Sequence, residues 1–186
     1  MKIEFNNLRS QCEAIKLPAQ KRIDDLFSEC CFINGKDVEL FETNFSIWNG
    51  NKYAVGVSSG TDAIYIALSS LNLRGNIQVY TSSNTFIATV FAAEMAFGEG
   101  CEIHLIDHDE FFLMDVNKLE HSLSKHHKKG ANIIIPVHLY GQACDMKKII
   151  KITAPEIVWA PVKFSGKVVA DEYMNAYKIP PVQQAA

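Results

Sequence analysis

Residues 52–82 read KYAVGVSSGTDAIYIALSSLNLRGNIQVYTS, and the order of patterns within them decides the fold. KYAVGVS (52–58) has the β-branched content of a strand. TDAIYIALSSL (61–71) places Ile64, Ala67, Leu68 and Leu71 on one helical face, and IQVYTS (77–82) is strand-like again. The alternation continues downstream. A helix FIATVFAAEMAF (86–97) stops at Gly98 and is followed by a strand, CEIHLID (101–107). A helix DVNKLEHSLSKH (115–126), started by Asp115, leads to a strand ANIIIPVHLYG (131–141). ACDMKKIIKI (143–152) then opens another helix with Asp145 as its cap. Strand and helix alternate four times, which predicts an α/β fold in three layers. Its sheet is mainly parallel, joined by right-handed crossovers and flanked by helices on both faces.

Upstream, residues 8–27 carry a loose helical spacing that Pro18 is expected to interrupt. FINGKDVELFETNFSIWNG (32–50) is cleaner: Val38, Phe41, Phe45 and Trp48 recur every three to four residues, and Gly50 supplies a stop. From Thr153 the alternation is lost. Four prolines, two of them in the ending IPPVQQAA, suggest irregular structure, so a boundary is expected near residue 153.

Composition narrows the function classes. The 186 residues, 48% apolar, suit one packed domain. A net charge of −3 with interspersed signs argues against a nucleic-acid or membrane-surface binder. The one basic cluster, Lys125 to Lys129, reads as a solvated helix end. No secretory h-region is visible, and the longest apolar stretch, Phe86 to Phe97, is broken by Glu94 and too short to span a bilayer. Five cysteines without a C-x-x-C pair suit reduced thiols in a cytoplasm and give no reason to expect a metal.

GVSSGTDA (56–63) admits different chemistries. Its first five residues fit the G-x-S-x-G elbow of a serine hydrolase, with Ser58 as nucleophile and Asp107 and His138 as nominal partners. Against that, the preceding fifty or so residues look helical, no HGGG-like segment occurs, and Ser59-Gly60-Thr61 separates Ser58 from its helix. The last residues instead fit a phosphate cradle. Gly60 gives the turn, Thr61 a hydroxyl, and the amides of Thr61, Asp62 and Ala63 lie along the helix axis. Asp62 must then face its carboxylate away from a bound dianion. An ordinary capped helix without a ligand satisfies the same spacing, so spacing alone leaves these readings open.

Several stretches together carry a resemblance. FINGKDVELFETNFSIWNG, AVGVSSGTDAIYIAL, TSSNTFIATVFAAEMAFG, HLIDHDEFFLMDVNKLEHSL and IIIPVHLYGQACDM follow one another as in the DegT/StrS-type nucleotide-sugar aminotransferases. The similarity runs collinearly from about Phe5 to Ile152. It implies a partial large domain of a fold-type I enzyme using pyridoxal 5′-phosphate (PLP), a homodimer, a keto-sugar nucleotide as substrate and glutamate as amino donor. Carried over by position, it puts the cofactor phosphate on Gly60 and Thr61 with the Asp62 amide nearby. Phe86 matches the aromatic residue that stacks on the pyridine ring, with an ordinary core role as the alternative. His138 and Tyr140 lie at the C-terminal end of a strand, and His138 is either a cofactor neighbour or a buried, hydrogen-bonded residue.

The family's reaction also needs a lysine bonded to the cofactor and an acid paired to the pyridine nitrogen. In the family the acid lies in an EDAAQ-like segment after the VHLYG strand, and the lysine lies further on. Here EIVWAPVKFSG (156–166) contains neither Asp nor Gln. Lys167, in FSGK, echoes the lysine segment but comes early, and Asp171 follows it instead of preceding it. The expectation is that residues 1–152 are the N-terminal part of the PLP-binding domain and residues 153–186 a tail foreign to the family. On this reading the chain is truncated and inactive alone. The alternative is a non-catalytic remnant that binds a partner through an open sheet edge.

Overall fold

The computed structural model describes residues 8–126, 130–153 and, for the backbone alone, 158–159. They fall into two compact units divided after Gly56. In the first, α1 (Leu8–Glu29) runs unbroken through Pro18, correcting the expected interruption. Proline removes one N–H from the ladder, and several turns on either side keep their own bonds. In α2 (Lys36–Trp48) the expected spacing brings Phe41 to Phe45 at 5.6 Å and Phe45 to Trp48 at 5.3 Å between ring centroids. The Gly50 amide donates to Ile47 O at 3.2 Å and the Asn51 amide to Ser46 O at 2.9 Å. That double closure requires the positive φ of 67° that Gly50 adopts.

The expected strand over 52–58 does not form. Tyr53 and Val55 remain 73% and 76% exposed, and the segment makes no ladder among the described residues. β-branched content marks a strand only where a neighbour supplies hydrogen bonds and a face to pack on.

The second unit holds α3 (Gly60–Ser69), β1 (Ile77–Ser82), α4 (Ile87–Phe97), β2 (Cys101–Ile106), α5 (Val116–His126), β3 (Ala131–Ile135), α6 (Met146–Thr153) and β4 (Val158–Trp159). The sheet order is β2-β1-β3-β4, and every pairing is parallel. Val79 sits in register with Ile103 on one side and Ile133 on the other. All six residues of β1 are buried, as a central strand covered on both faces requires.

The two-residue period of the strands sorts the core. Ile77 and Val79 of β1 pack with Ile133 and Ile135 of β3 against Ile64 and Leu68 of α3 and Ala92 and Ala93 of α4. Tyr80 and Ile134 face the other way, with Ile106, onto Leu119 of α5 and Ile149 of α6. Helices α3 and α4 therefore cover one face and α5 and α6 the other, which is the expected three-layer architecture. The strand expected over 131–141 ends at Ile135 because Pro136 has no N–H for the ladder.

The chain steps from β1 outward to β2, then crosses back over β1 to β3. Connections leaving β1 and β3 consequently pass to opposite faces of the sheet. That reversal opens a crevice at their C-terminal ends, where α/β sheets place their ligands. Among the described residues no helix is long and apolar enough to cross a membrane, and no His, Cys, Asp and Glu cluster could hold a metal.

Candidate functional site

Three segments converge on that crevice: the start of α3, the β1–α4 turn and the residues that follow β3. They enclose a cavity of about 360 Å³ lined, among others, by Gly60, Thr61, Thr85, Phe86 and His138.

Ser59 caps α3 from an extended backbone, and its Oγ accepts the Asp62 amide at 3.1 Å. The Asp62 carboxylate turns back and accepts the Ser59 hydroxyl at 2.9 Å and the Ser58 hydroxyl as well. Ser59 and the aspartate at the third helical position are thus bonded in both directions, through the Asp62 amide and through the Ser59 hydroxyl. Bonding to Ser58 and then to Ser59 holds the Asp62 carboxyl below the usual carboxylate range. The Ala63 amide donates to Ser59 O at 3.0 Å. The Asp62 and Ala63 amides are thus engaged, whereas those of Gly60 and Thr61 find no acceptor among the described residues. The Asp62 carboxylate faces its two serines, the orientation that the phosphate reading demands of it, while its amide is bonded to the cap.

Phe86 occupies the cap position of α4, is 76% exposed and borders the cavity. Its backbone is fixed by the Thr89 amide, which donates to Phe86 O at 3.1 Å. Around it, the Thr85 and Thr89 hydroxyls meet at 2.8 Å, and Asn84 Nδ2 donates to Phe112 O at 3.0 Å. Thr85 and Thr89, which line the cavity, were not singled out from the sequence. The run of small polar side chains around Phe86 in TSSNTFIAT was the available signal.

His138 is half-buried, lines the cavity and accepts the Cys144 amide on Nδ1 at 3.1 Å. It is hydrogen-bonded, as one of the two expectations had it, but half-buried instead of buried. Burial lowers its pKa from the ordinary value and raises that of Cys144, whose thiol donates to Val137 O at 3.2 Å. Tyr140 does not line the cavity. It is 87% exposed and left-handed at φ 55°, followed by Gly141 at φ 76°. Such a conformation costs a non-glycine residue roughly 1–2 kcal/mol.

The serine-hydrolase partners are not assembled. Ser58 donates to Asp62, and His138 is bonded to Cys144. Asp107 accepts Lys118 Nζ at 2.8 Å and the His108 amide at 2.9 Å. Each member is committed elsewhere, and the Ser58 hydroxyl is bonded to Asp62 instead of a histidine. Lys167 and Asp171 lie outside the described residues, and among the described residues no lysine lines the cavity.

Comparison with known proteins adds an independent line. The model of the DegT/DnrJ/EryC1/StrS aminotransferase family matches residues 14–159. The chain is 36% identical over 125 residues to the dTDP-3-amino-3,4,6-trideoxy-alpha-D-glucose transaminase of Micromonospora megalomicea subsp. nigra, covering 67% of this chain and 32% of that protein. A DegT DnrJ EryC1 StrS aminotransferase from Brucella abortus matches the fold with a TM-score of 0.74 at 25% identity. That match covers 85% of this chain and 43% of the other. NtdA from Bacillus subtilis, solved with bound cofactor PMP, matches with a TM-score of 0.63 at 26% identity, over 85% of this chain and 34% of the other. The chain spans less than half the length of each of these proteins.

Proposed function

This chain belongs to the DegT/DnrJ/EryC1/StrS aminotransferase family, and on that premise we propose that its cavity holds the phosphate and ring of PLP in a sugar aminotransferase. The observation that carries this reading is the start of α3. Two unengaged amides, Gly60 and Thr61, border a cavity whose other wall presents an exposed aromatic ring, Phe86. A phosphorylated pyridine has those two needs, anion donors and a flat face, so the residues fit the group.

Gly60 and Thr61 would hold the phosphate through their amides and the Thr61 hydroxyl, and Phe86 would hold the ring. Asp62 acts one step back, by fixing the first turn of α3. When bound, the cofactor supplies an electron-accepting ring and a carbon that carries the amino group between partners. The substrates proposed are a keto-sugar nucleotide and glutamate, in a homodimeric, cytoplasmic enzyme. Residues 1–152 are proposed as the N-terminal part of the PLP-binding domain and 153–186 as a segment outside the family pattern, with the family match itself running to residue 159. Among the described residues lining this cavity there is no lysine and no acid, and the chain is proposed to be inactive by itself.

Pyridoxamine phosphate needs no lysine bond, so it tests the cradle directly. Equilibrium dialysis is expected to show binding that is at least about tenfold weaker for pyridoxamine, which lacks the phosphate contacts to two amides and a hydroxyl. Equal affinities, or no binding of either, would remove the reading. A second reading, a partner-binding module, draws on β2, an edge strand among those described, whose Leu105 is 57% exposed. A concentration-independent monomer in sedimentation would count against that module.

A further inference from the structure

We propose that His138 is a fixed, neutral Nε2–H donor to an oxygen of the ligand bound in this cavity, an inference that rests on the cofactor reading above. The tautomer follows from the chemistry of its partner. The Cys144 amide can only donate, so the Nδ1 it meets at 3.1 Å must carry a lone pair. In the neutral ring the proton then sits on Nε2. Protonating Nδ1 would set two donors against each other.

The lock closes on both sides. The Cys144 thiol donates to Val137 O at 3.2 Å, tying Cys144 to the residue just before His138. The Met146 amide donates to Cys144 O at 2.7 Å, which anchors the same turn to the start of α6. The ring cannot flip to exchange its nitrogens without breaking the Cys144 bond. Nε2 meets no acceptor among the described residues, and His138 lines the same cavity as Thr61 and Phe86. An unengaged donor held rigidly there is suited to an anionic oxygen. On a phosphorylated pyridine that oxygen is either the ring phenolate or one of the phosphate oxygens. The contact adds a hydrogen bond without adding a full positive charge to the site.

The test begins without ligand. Long-range proton–nitrogen NMR of the full chain at neutral pH is expected to show the Nε2–H tautomer of His138. The Nδ1–H tautomer or an imidazolium would overturn the proposal. His138→Asn keeps an acceptor for Cys144 but loses the outer donor, whereas His138→Gln restores an N–H further out. With both variants folded by circular dichroism, His138→Asn should weaken pyridoxamine phosphate binding about tenfold or more and His138→Gln should recover most of it. A parallel titration with inorganic phosphate separates the two oxygens. An equal loss assigns the phosphate, and a loss confined to pyridoxamine phosphate assigns the ring. Wild-type binding with His138→Asn unchanged overturns the donor role alone. A wild-type chain that binds no pyridoxamine phosphate overturns the cofactor reading and the donor role with it.

Discussion

The start of α3 and the starts of α5 and α6 use the same residue types and reach different states. At α5, Asp115 sits at the cap and its Oδ1 accepts the amides of Asn117 at 2.9 Å and Lys118 at 3.2 Å. At α6, Asp145 accepts the Lys148 amide at 3.1 Å and pairs with the Lys148 ammonium at 2.9 Å. Each of these starts keeps one amide without an acceptor among the described residues, Val116 or Lys147, but has a carboxylate where an anion would have to come. At α3 the cap is a neutral serine and the aspartate lies three positions on, facing back. The first two amides stay open, and the negative charge is tied to Ser58 and Ser59. A shift of three positions therefore separates a helix start guarded by a carboxylate from one that can take a ligand.

The comparison can be broken first by making α3 resemble its counterparts. Ser59→Asp retains a good cap but puts a carboxylate beside the open amides. Repulsion of a phosphate at that range should lower pyridoxamine phosphate affinity by about tenfold or more, read by dialysis with helicity unchanged by circular dichroism. Undiminished affinity would mean that the α3 start is not the anion site. The converse change, Asp115→Ala, should cost about 1 kcal/mol in urea unfolding, the usual value of a cap, and leave pyridoxamine phosphate affinity untouched.

The pH response separates two groups near the cavity. The folded pKa of His138 lies below its ordinary 6.5, so the unfolded chain takes up that proton first as pH falls. Its contribution to stability is complete above about 6.5 and is lost as pH drops through the folded value. Asp62 follows the same sign from a lower start, below 3.8. Urea midpoints should therefore decline from about pH 6.5 downward, and less steeply in His138→Asn than in wild type. The smallest effect is expected at Lys148→Met. Its exposed ion pair with Asp145 should leave the thermal midpoint unchanged within error, since such pairs contribute little in water.

The fold was largely legible in the sequence because its decisive signals are local. Strand-like runs marked the elements in which Ile77, Val79 and Ile133 are buried, and Asp115 and Asp145 marked helix starts that the structure retains. The errors share one cause, dependence on partners distant in the chain. Val55 and Val57 have strand-forming shapes but no neighbouring strand, and Pro18 is tolerated within a helix that continues on either side. In the site, collinear motifs indicated Gly60, Thr61 and Phe86. They could not reveal that the Asp62 amide is consumed by Ser59, since GTDA reads alike whichever way the carboxylate turns. Nor could VHLYGQACD show that the Cys144 amide returns to His138 and fixes its tautomer, because that bond exists only once the turn has formed.

The most direct measurement is an amide-resolved NMR titration of the full chain with pyridoxamine phosphate. The largest and saturable shifts should fall on the Gly60 and Thr61 amides and the Phe86 ring, with the Asn117, Lys118 and Lys148 amides unmoved. Shifts concentrated at the starts of α5 and α6, or no saturable shift at Gly60 and Thr61, would contradict the account.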